Sequence, residues 1–284
     1  MVTSLTGKSI IEIMKAHRGQ CLFSDDGLEL EYEDLVENIE EFGKQLSSID
    51  MENNKICALV LPNGFDMAIS FLALANYLTI SPLNPNYTKK EFLFFLEDLN
   101  CEFIITDNNA SNALIEAAKQ LKIKLFYLDS YSPKNGLLIK SLPASSICLL
   151  DQNKADDICL ILHTSGTTSR PKQVPLSCMN IISSALNIAS VLQLEKKDKG
   201  MNIMPLFHIH GLIASLLSSI VTGSSVVCTS GFNALTFYGS LRNFNPTWIT
   251  AVPTMYQAIL SRASRNKEII ESSNLRLLRS SSAA

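Results

Sequence analysis

Short apolar runs of strand length alternate with segments of helical period almost from end to end, and no other feature of this chain restricts its fold as much. The run ICALVL at 56–61 stops at Pro62-Asn63-Gly64, and a mostly apolar helical stretch follows over 65–78. The run at 102–106 closes on Asp107-Asn108-Asn109 and precedes a helix over 111–122, after which 124–128 reads as a third strand. Further strands are expected at 157–162, 201–204, 225–228 and 247–252, and helices at 178–192, 212–221 and 255–263. Runs this short and uniformly apolar suit strands buried on both faces. Strands joined through helices need crossover connections, so the expected fold class is α/β, with two mostly parallel sheets covered by helices. The stretch 130–153, with Pro133, Asn135-Gly136 and Pro143, is the weakest in periodicity and reads as a linker. It divides the chain into a first α/β subdomain, 1–150, and a second, 151–284.

Composition excludes several classes of function. Lys and Arg number 24 against 27 Asp and Glu, a formal charge of −3, so no excess of positive charge is available to neutralise a nucleic-acid backbone. Hydrophobic residues make up 46% and charged residues 18%, which rules out a disordered or fibrous chain. The seven cysteines (Cys21, Cys57, Cys101, Cys148, Cys159, Cys178 and Cys228) are odd in number, widely spaced and without a C-x-x-C pair. They read as small buried hydrophobes in a reducing compartment rather than as a disulfide framework or a zinc site. The N-terminus has no apolar leader followed by a small-residue cleavage site. The apolar stretch 67–80 contains Asn76 and falls short of the roughly 20 residues that span a bilayer. A cytoplasmic protein with no transmembrane segment is expected. A strand opens at 275–278 and the chain then stops at Ala284 with no covering helix, so a longer protein is expected.

The segment with the strongest chemical signature follows the strand at 157–162. It reads His163-Thr-Ser-Gly-Thr-Thr-Ser-Arg-Pro-Lys172. Such a loop can cradle a polyanion. Gly166 frees the backbone to turn N–H groups inward, Thr164, Ser165, Thr167 and Thr168 supply hydroxyls, and Lys172 supplies a point charge. Composition alone fits a solvated Ser/Thr loop between strand and helix equally well. No G-x-G-x-x-G occurs, and Gly7-Lys8-Ser9 lacks the earlier glycine and the preceding strand of a Walker A loop.

The segment 164–172 resembles the phosphate loop of the adenylate-forming (ANL) superfamily, in particular acyl-CoA synthetases and 4-coumarate–CoA-ligase-like enzymes. Other matches fall in order around it. Met204-Pro-Leu-Phe-His208-Ile-His-Gly211 is similar to the family's Pro-x-Phe-His-x-x-Gly segment, and Ala251-Val-Pro-Thr-Met-Tyr256 to its Val-Pro turn before a helix. The stretch 275–284 is similar to the strand leading into its small-residue turn, and 76–85 to a segment ending in a Pro-Leu-Asn-Pro turn. The resemblance covers essentially the whole chain and stops before the family's Thr-Glu motif, its ribose-binding Asp and its mobile C-terminal domain. It departs at Ser169 and Gln173, where most members have glycine; Gln173 bears on the ease of loop closure.

The resemblance implies the N-terminal portion of an ATP-dependent acid–thiol ligase. A carboxylate attacks the α-phosphate of ATP, and the acyl group then passes to coenzyme A. Thr164, Ser165, Gly166, Thr167, Thr168 and Lys172 are assigned by it to the β/γ-phosphates, and His208 to a catalytic role against the carboxylate or adenylate. Ser281, Ser282 and Ala283 match the turn lining the acyl-adenylate pocket, while His210 reads as structural and Gly211 as allowing close backbone approach. Mg2+ is expected with ATP, but no acidic cluster here has metal-ligand spacing, and Asp156-Asp157 reads as a solvated strand start. The partner is a small carboxylic acid, whether fatty, aromatic or dicarboxylic, with a lean toward the fatty-acyl and oxalate–CoA-ligase-like branches. Lacking the later motifs, this chain alone is expected to turn over negligibly. The alternative is a truncated, non-catalytic module that binds a nucleotide or an acyl group.

Overall fold

The structure, a computed structural model, describes residues 7–48, 56–140, 150–164 and 171–281. Among them thirteen strands form two sheets. The six-stranded sheet has the order β13 (Leu277–Ser280), β12 (Trp248–Ala251), β10 (Lys199–Asn202), β11 (Ser225–Cys228), β1 (Gln20–Ser24), β2 (Glu29–Glu31). The seven-stranded sheet has the order β7 (Gly136–Ile139), β6 (Lys124–Ser132), β5 (Phe103–Asp107), β3 (Ile56–Val60), β4 (Thr79–Pro82), β8 (Ile158–Thr164), β9 (Lys172–Ser177). Pairing is parallel throughout except where β2, β7 and β9 fold back as hairpins along sheet edges. Two mostly parallel sheets covered by helices are what the alternation of short apolar runs requires.

Side-chain alternation along the strands explains the layering. In β3, Cys57 and Leu59 join the large core between the sheets, while Ala58 and Val60 face the other way. There they meet α4 (Lys89–Asp98) and α5 (Asn112–Leu121) through Phe92, Phe95, Leu114 and Ala117. In the six-stranded sheet Val226, Cys228 and Trp248 face inward, and Val227 and Ile249 face α9 (Phe237–Phe244) and α10 (Pro253–Leu260). Between the sheets lie α2 (Tyr32–Ser48), α3 (Phe65–Leu74) and α6 (Cys178–Val191). A helical rod over 209–220 lies there too. It is α-helical at α7 (Ile209–Gly211) and α8 (Ser218–Ile220) and π-helical at Leu212–Leu217 between them. Helix starts are written locally: Thr88 and Glu91 form a capping box on α4, Ser111 caps α5, and Ser177 with Asn180 caps α6.

Within the stretch expected as a linker, residues 130–139 belong to a strand pair. β6 runs on to Ser132 and turns back through Pro133-Lys134-Asn135 into β7, because Asn135-Gly136 is a hairpin signal and Gly136 takes φ +67°. Edge strand β7 is covered by α2, whose Gln45 accepts from the Ile139 N–H at 2.9 Å and whose Asn38 accepts from that of Leu137 at 3.3 Å. Both sheets draw strands from either side of residue 150: β1 and β2 join the later strands of one, and β8 and β9 the earlier strands of the other. Asn153 helps to tie the chain's return to α3, donating to the carbonyls of Ala75 and Leu78 at 3.1 Å each.

Candidate functional site

The carboxyl ends of strands from both sheets converge, which is where open α/β sheets place their ligands. Thr164 ends β8 and Lys172 begins β9, and the two are register partners in an antiparallel pair. The hydroxyl-rich segment is therefore the connection of a β-hairpin, not a strand-to-helix loop. Lys172-Gln-Val-Pro175 escaped a strand reading because proline interrupts it, yet β9 is an edge strand, where a missing N–H costs no ladder bond. Thr164 and Lys172 are both exposed; Ser165, Gly166, Thr167 and Thr168 lie outside the described residues. The hairpin is anchored to the end of α4. Gln173 donates to the Asp98 carbonyl and, at 3.0 Å, to its carboxylate, which also meets His163 Nε2 at 3.2 Å. Burial pushes the His163 imidazole below its ordinary pKa although Asp98 opposes the shift.

The opposite wall comes from the loop after β10. Asn202 closes it locally, accepting from the Met204 N–H at 3.3 Å and donating to the Met204 carbonyl at 3.0 Å. Asn63, at the end of β3 in the other sheet, accepts from the Leu206 N–H at 2.7 Å and donates to the Thr229 carbonyl at 2.9 Å. Gly211 then passes so close that a Cβ there would stand 2.3 Å from the Pro205 carbonyl oxygen. The expected close approach is real, and it is made to the chain's own backbone. Together these contacts fix where His208 and His210 point, just before a π-helical winding of the kind often found beside functional sites.

A cavity of about 430 Å³ opens between the two walls, lined by His163, Thr164, Phe207, His208, His210 and Val252 among others. His208 is exposed at its edge, with its ring 4.6 Å from that of Phe207, and the atoms crowding it lower its pKa. His210 is 5% exposed and sits in a polar cluster. Its Nε2 is 2.6 Å from Thr250 Oγ1 and 3.4 Å from both Arg279 Nη1 and Ser281 Oγ. Burial, then the Arg279 charge, pushes the His210 pKa down to about 4. The imidazole is neutral at pH 7. Since a guanidinium only donates, Nε2 presents its lone pair, and Thr250 can donate to it while accepting from Arg279 at 3.0 Å.

Of the site residues expected from sequence, the structure brings Thr164 and His208 to one cavity and places Ser281 beside His210. Lys172 stands across the hairpin from Thr164, and Ser282 and Ala283 lie outside the described residues. The sequence reading missed the surroundings of His210. The available signal was a threonine in the apolar run TWITAV and an arginine two residues after Leu277, both on strands. Among the described residues no group of three or more His, Cys, Asp or Glu side chains could hold a metal.

A family model for AMP-binding enzymes matches residues 14–284. This chain belongs to that family. An oxalate–CoA ligase of Arabidopsis thaliana is 38% identical over 259 residues, covering 88% of this chain and 49% of the relative. An oxalate–CoA ligase of Saccharomyces cerevisiae is 34% identical over 252 residues, covering 80% and 46%. The chain thus spans about half the length of the curated relatives it matches. Among solved structures, ATP-bound MatB from Rhodopseudomonas palustris superposes with a TM-score of 0.82 at 20% identity, covering 98% of this chain and 55% of that one. O-succinylbenzoate coenzyme A synthetase from Bacillus subtilis in complex with AMP gives 0.80 at 23%, covering 97% and 68%. These two establish that the chain shares their fold. No helix among its described residues is long and apolar enough to cross a membrane.

Proposed function

We propose that the protein containing this chain is an ATP-dependent acid–CoA ligase that adenylates a small carboxylic acid and passes the acyl group to coenzyme A. The observation that carries the reading is the shared cavity: the mouth of the hydroxyl-rich hairpin at Thr164 and the Phe207-His208 turn face one another across about 430 Å³. Two of the curated relatives are ligases named for oxalate, a short acid.

In this reading the segment 164–172 cradles the β- and γ-phosphates, Thr164 and its neighbours donating O–H and N–H groups and Lys172 a charge, as a departing pyrophosphate requires. His208, at the edge of the cavity, meets the carboxylate or the adenylate, and Ser281 borders the acyl group. With its pKa below the ordinary histidine value, His208 is neutral at pH 7, so it offers one N–H donor and adds no charge to compete with Lys172. Magnesium would arrive on the nucleotide's own phosphates, and no step is assigned to it, since the described residues hold no ligand cluster. A cytoplasmic location is supported by the six described cysteines, all free and buried.

The test is Lys172→Ala in the full-length protein, followed by acid-dependent pyrophosphate release. Loss of a charge aimed at the leaving group should slow release by about 100-fold or more. Release at the wild-type rate would remove the phosphate assignment.

A further inference from the structure

The mouth of the hydroxyl-rich hairpin rests on one carboxylate. β8 is registered with β4 at Leu160, whereas its ladder with β9 runs on to Thr164, so the mouth is a two-stranded ribbon. Such a ribbon is marginally stable by itself. Alternation gives it two faces. Leu162, Thr164, Val174 and Leu176 line the cavity, and Lys172 takes the same side as Val174. His163 and Gln173 are register partners one step from Thr164 and Lys172, and they reach the end of α4. Both meet the Asp98 carboxylate there, His163 Nε2 at 3.2 Å and Gln173 Nε2 at 3.0 Å. Gln173 also donates to the Asp98 carbonyl. The contact is sheltered: the His163 side chain is 8% exposed, that of Asp98 is 18% exposed, and the Phe95 ring lies 4.7 Å from the imidazole.

Helix chemistry alone does not ask for this residue. A carboxylate in the last turn of a helix stands at the negative end of its dipole, and α4 has no basic residue in that turn. Donors from elsewhere must hold it, and they come from both strands of the hairpin. Since a carboxylate only accepts, the neutral His163 ring carries its proton on Nε2. One acceptor that takes an N–H from each strand fixes the tilt of the ribbon against α4. We propose that Asp98 is a positioning residue for the phosphate cradle: through His163 and Gln173 it sets from behind where Thr164 and Lys172 stand against the β- and γ-phosphates. This rests on the phosphate assignment of the same hairpin. Asp98 itself meets neither nucleotide nor acid, and its effect passes through the two strands.

The experiment titrates ATP with Mg2+, and separately AMP, into the full-length protein and its Asp98→Ala, Asp98→Asn and Lys172→Ala variants. AMP lacks the two phosphates that the hairpin is assigned to hold, so it is the internal control. Asp98→Ala should weaken ATP by about tenfold and AMP by less than about twofold, the size of a lost hydrogen bond to a charged group. Asp98→Asn should recover most of the loss. Its amide oxygen can accept from Gln173, and its N–H can meet Nε2 once the imidazole proton moves to Nδ1. Adding Asp98→Ala to Lys172→Ala should cost less than the product of the two single losses, because both act on one contact. Equal weakening of ATP and AMP, or a lower unfolding temperature with both affinities unchanged, would make Asp98 a plain helix cap and overturn the proposal. If Asp98→Ala does not fold, Gln173→Ala at an exposed position decides: an ATP-selective loss of about threefold supports the clamp, and none overturns it. A Lys172→Ala protein that binds ATP as wild type does overturns the phosphate assignment itself. An ATP-selective loss in Lys172→Ala without one in Asp98→Ala removes only the positioning role.

Discussion

Gly211→Ala puts the architecture of the site to its hardest test. The added methyl would stand 2.3 Å from the Pro205 oxygen, 2.9 Å from the Pro205 carbonyl carbon and 3.2 Å from the Met204 oxygen, where ordinary contact begins at 3.4 Å. All three obstacles are backbone, so no rotamer change relieves them, and the turn carrying His208 and His210 must move by roughly 1 Å. Overpacking against a fixed backbone costs about 3 kcal/mol. At about 2–4 °C per kcal/mol for a domain of this size, the midpoint of thermal unfolding should fall by about 6–12 °C. Displacing both histidines by that distance should slow pyrophosphate exchange by about 100-fold. Gly239→Ala is the matched control. It lies in α9 with nothing within 4 Å of the new Cβ, and it should be neutral or stabilising by up to about 1 kcal/mol. A Gly211→Ala protein that unfolds within about 2 °C of wild type and exchanges within about twofold of it would show that the 204–211 turn is not held as described.

Two further outcomes follow from polar contacts at opposite ends of the sheets. Asn63→Ala orphans the Leu206 N–H and the Thr229 carbonyl, so it should cost about 2 kcal/mol in denaturant unfolding and reduce exchange as well; a stability loss with unchanged exchange would mean that Asn63 only joins the sheets. Arg276→Ala should cost up to about 2 kcal/mol at pH 7, discounted because the arginine side chain is 37% exposed while that of Asp198 is 1% exposed. Burial alone would raise the Asp198 pKa, but hydrogen bonds from Arg276, the Glu195 N–H and Thr247 outweigh it and hold it below the usual value. Its stabilising contribution is thus complete above the unfolded carboxyl value of about 3.9 and lost as pH falls through the lower folded one. The gap between wild type and Arg276→Ala should close below about pH 4, and a gap independent of pH would contradict this account.

Most strands legible from sequence are nearly fully buried, although β6, expected from Lys124, is largely half-buried or exposed. β3, β5, β8, β11 and β12 lie inside sheets and read as unbroken apolar runs, and each was expected to within a residue or two at either end. β2 and β9 were not legible for the opposite reason. Glu29-Leu-Glu31 buries one side chain of three, and Lys172-Gln-Val-Pro-Leu-Ser177 only its last. As hairpin strands at edges they borrow their order from a neighbour. α4 could have been found from Thr88-x-x-Glu91, a capping box spelled out in the sequence. The expected helix over 65–78 ends at Leu74 because Asn76 is used elsewhere, donating to the Leu72 carbonyl at 2.6 Å and accepting from the Ile11 N–H at 3.0 Å.

The site was legible in one half only. Residues 164–172 and 204–211 are contiguous, so their chemistry can be read along the chain. The surroundings of His210 come from three segments, 210, 250 and 279–281, that only the order of strands β10, β12 and β13 makes adjacent. A histidine weighed without those neighbours reads as structural, and its partners read as ordinary strand residues. Parallel pairing accounts for the convergence. Every crossover returns the chain to the same end of its sheet, so residues that follow successive strands accumulate there whatever their separation in sequence. β8 and β9 contribute the hairpin from one sheet, while β10, β12 and β13 contribute the histidines and Arg279 from the other. Asn63 links the carboxyl ends of the two sheets beside the cavity. Neither sheet alone supplies both walls of the cavity, so a site there depends on the two sheets being joined.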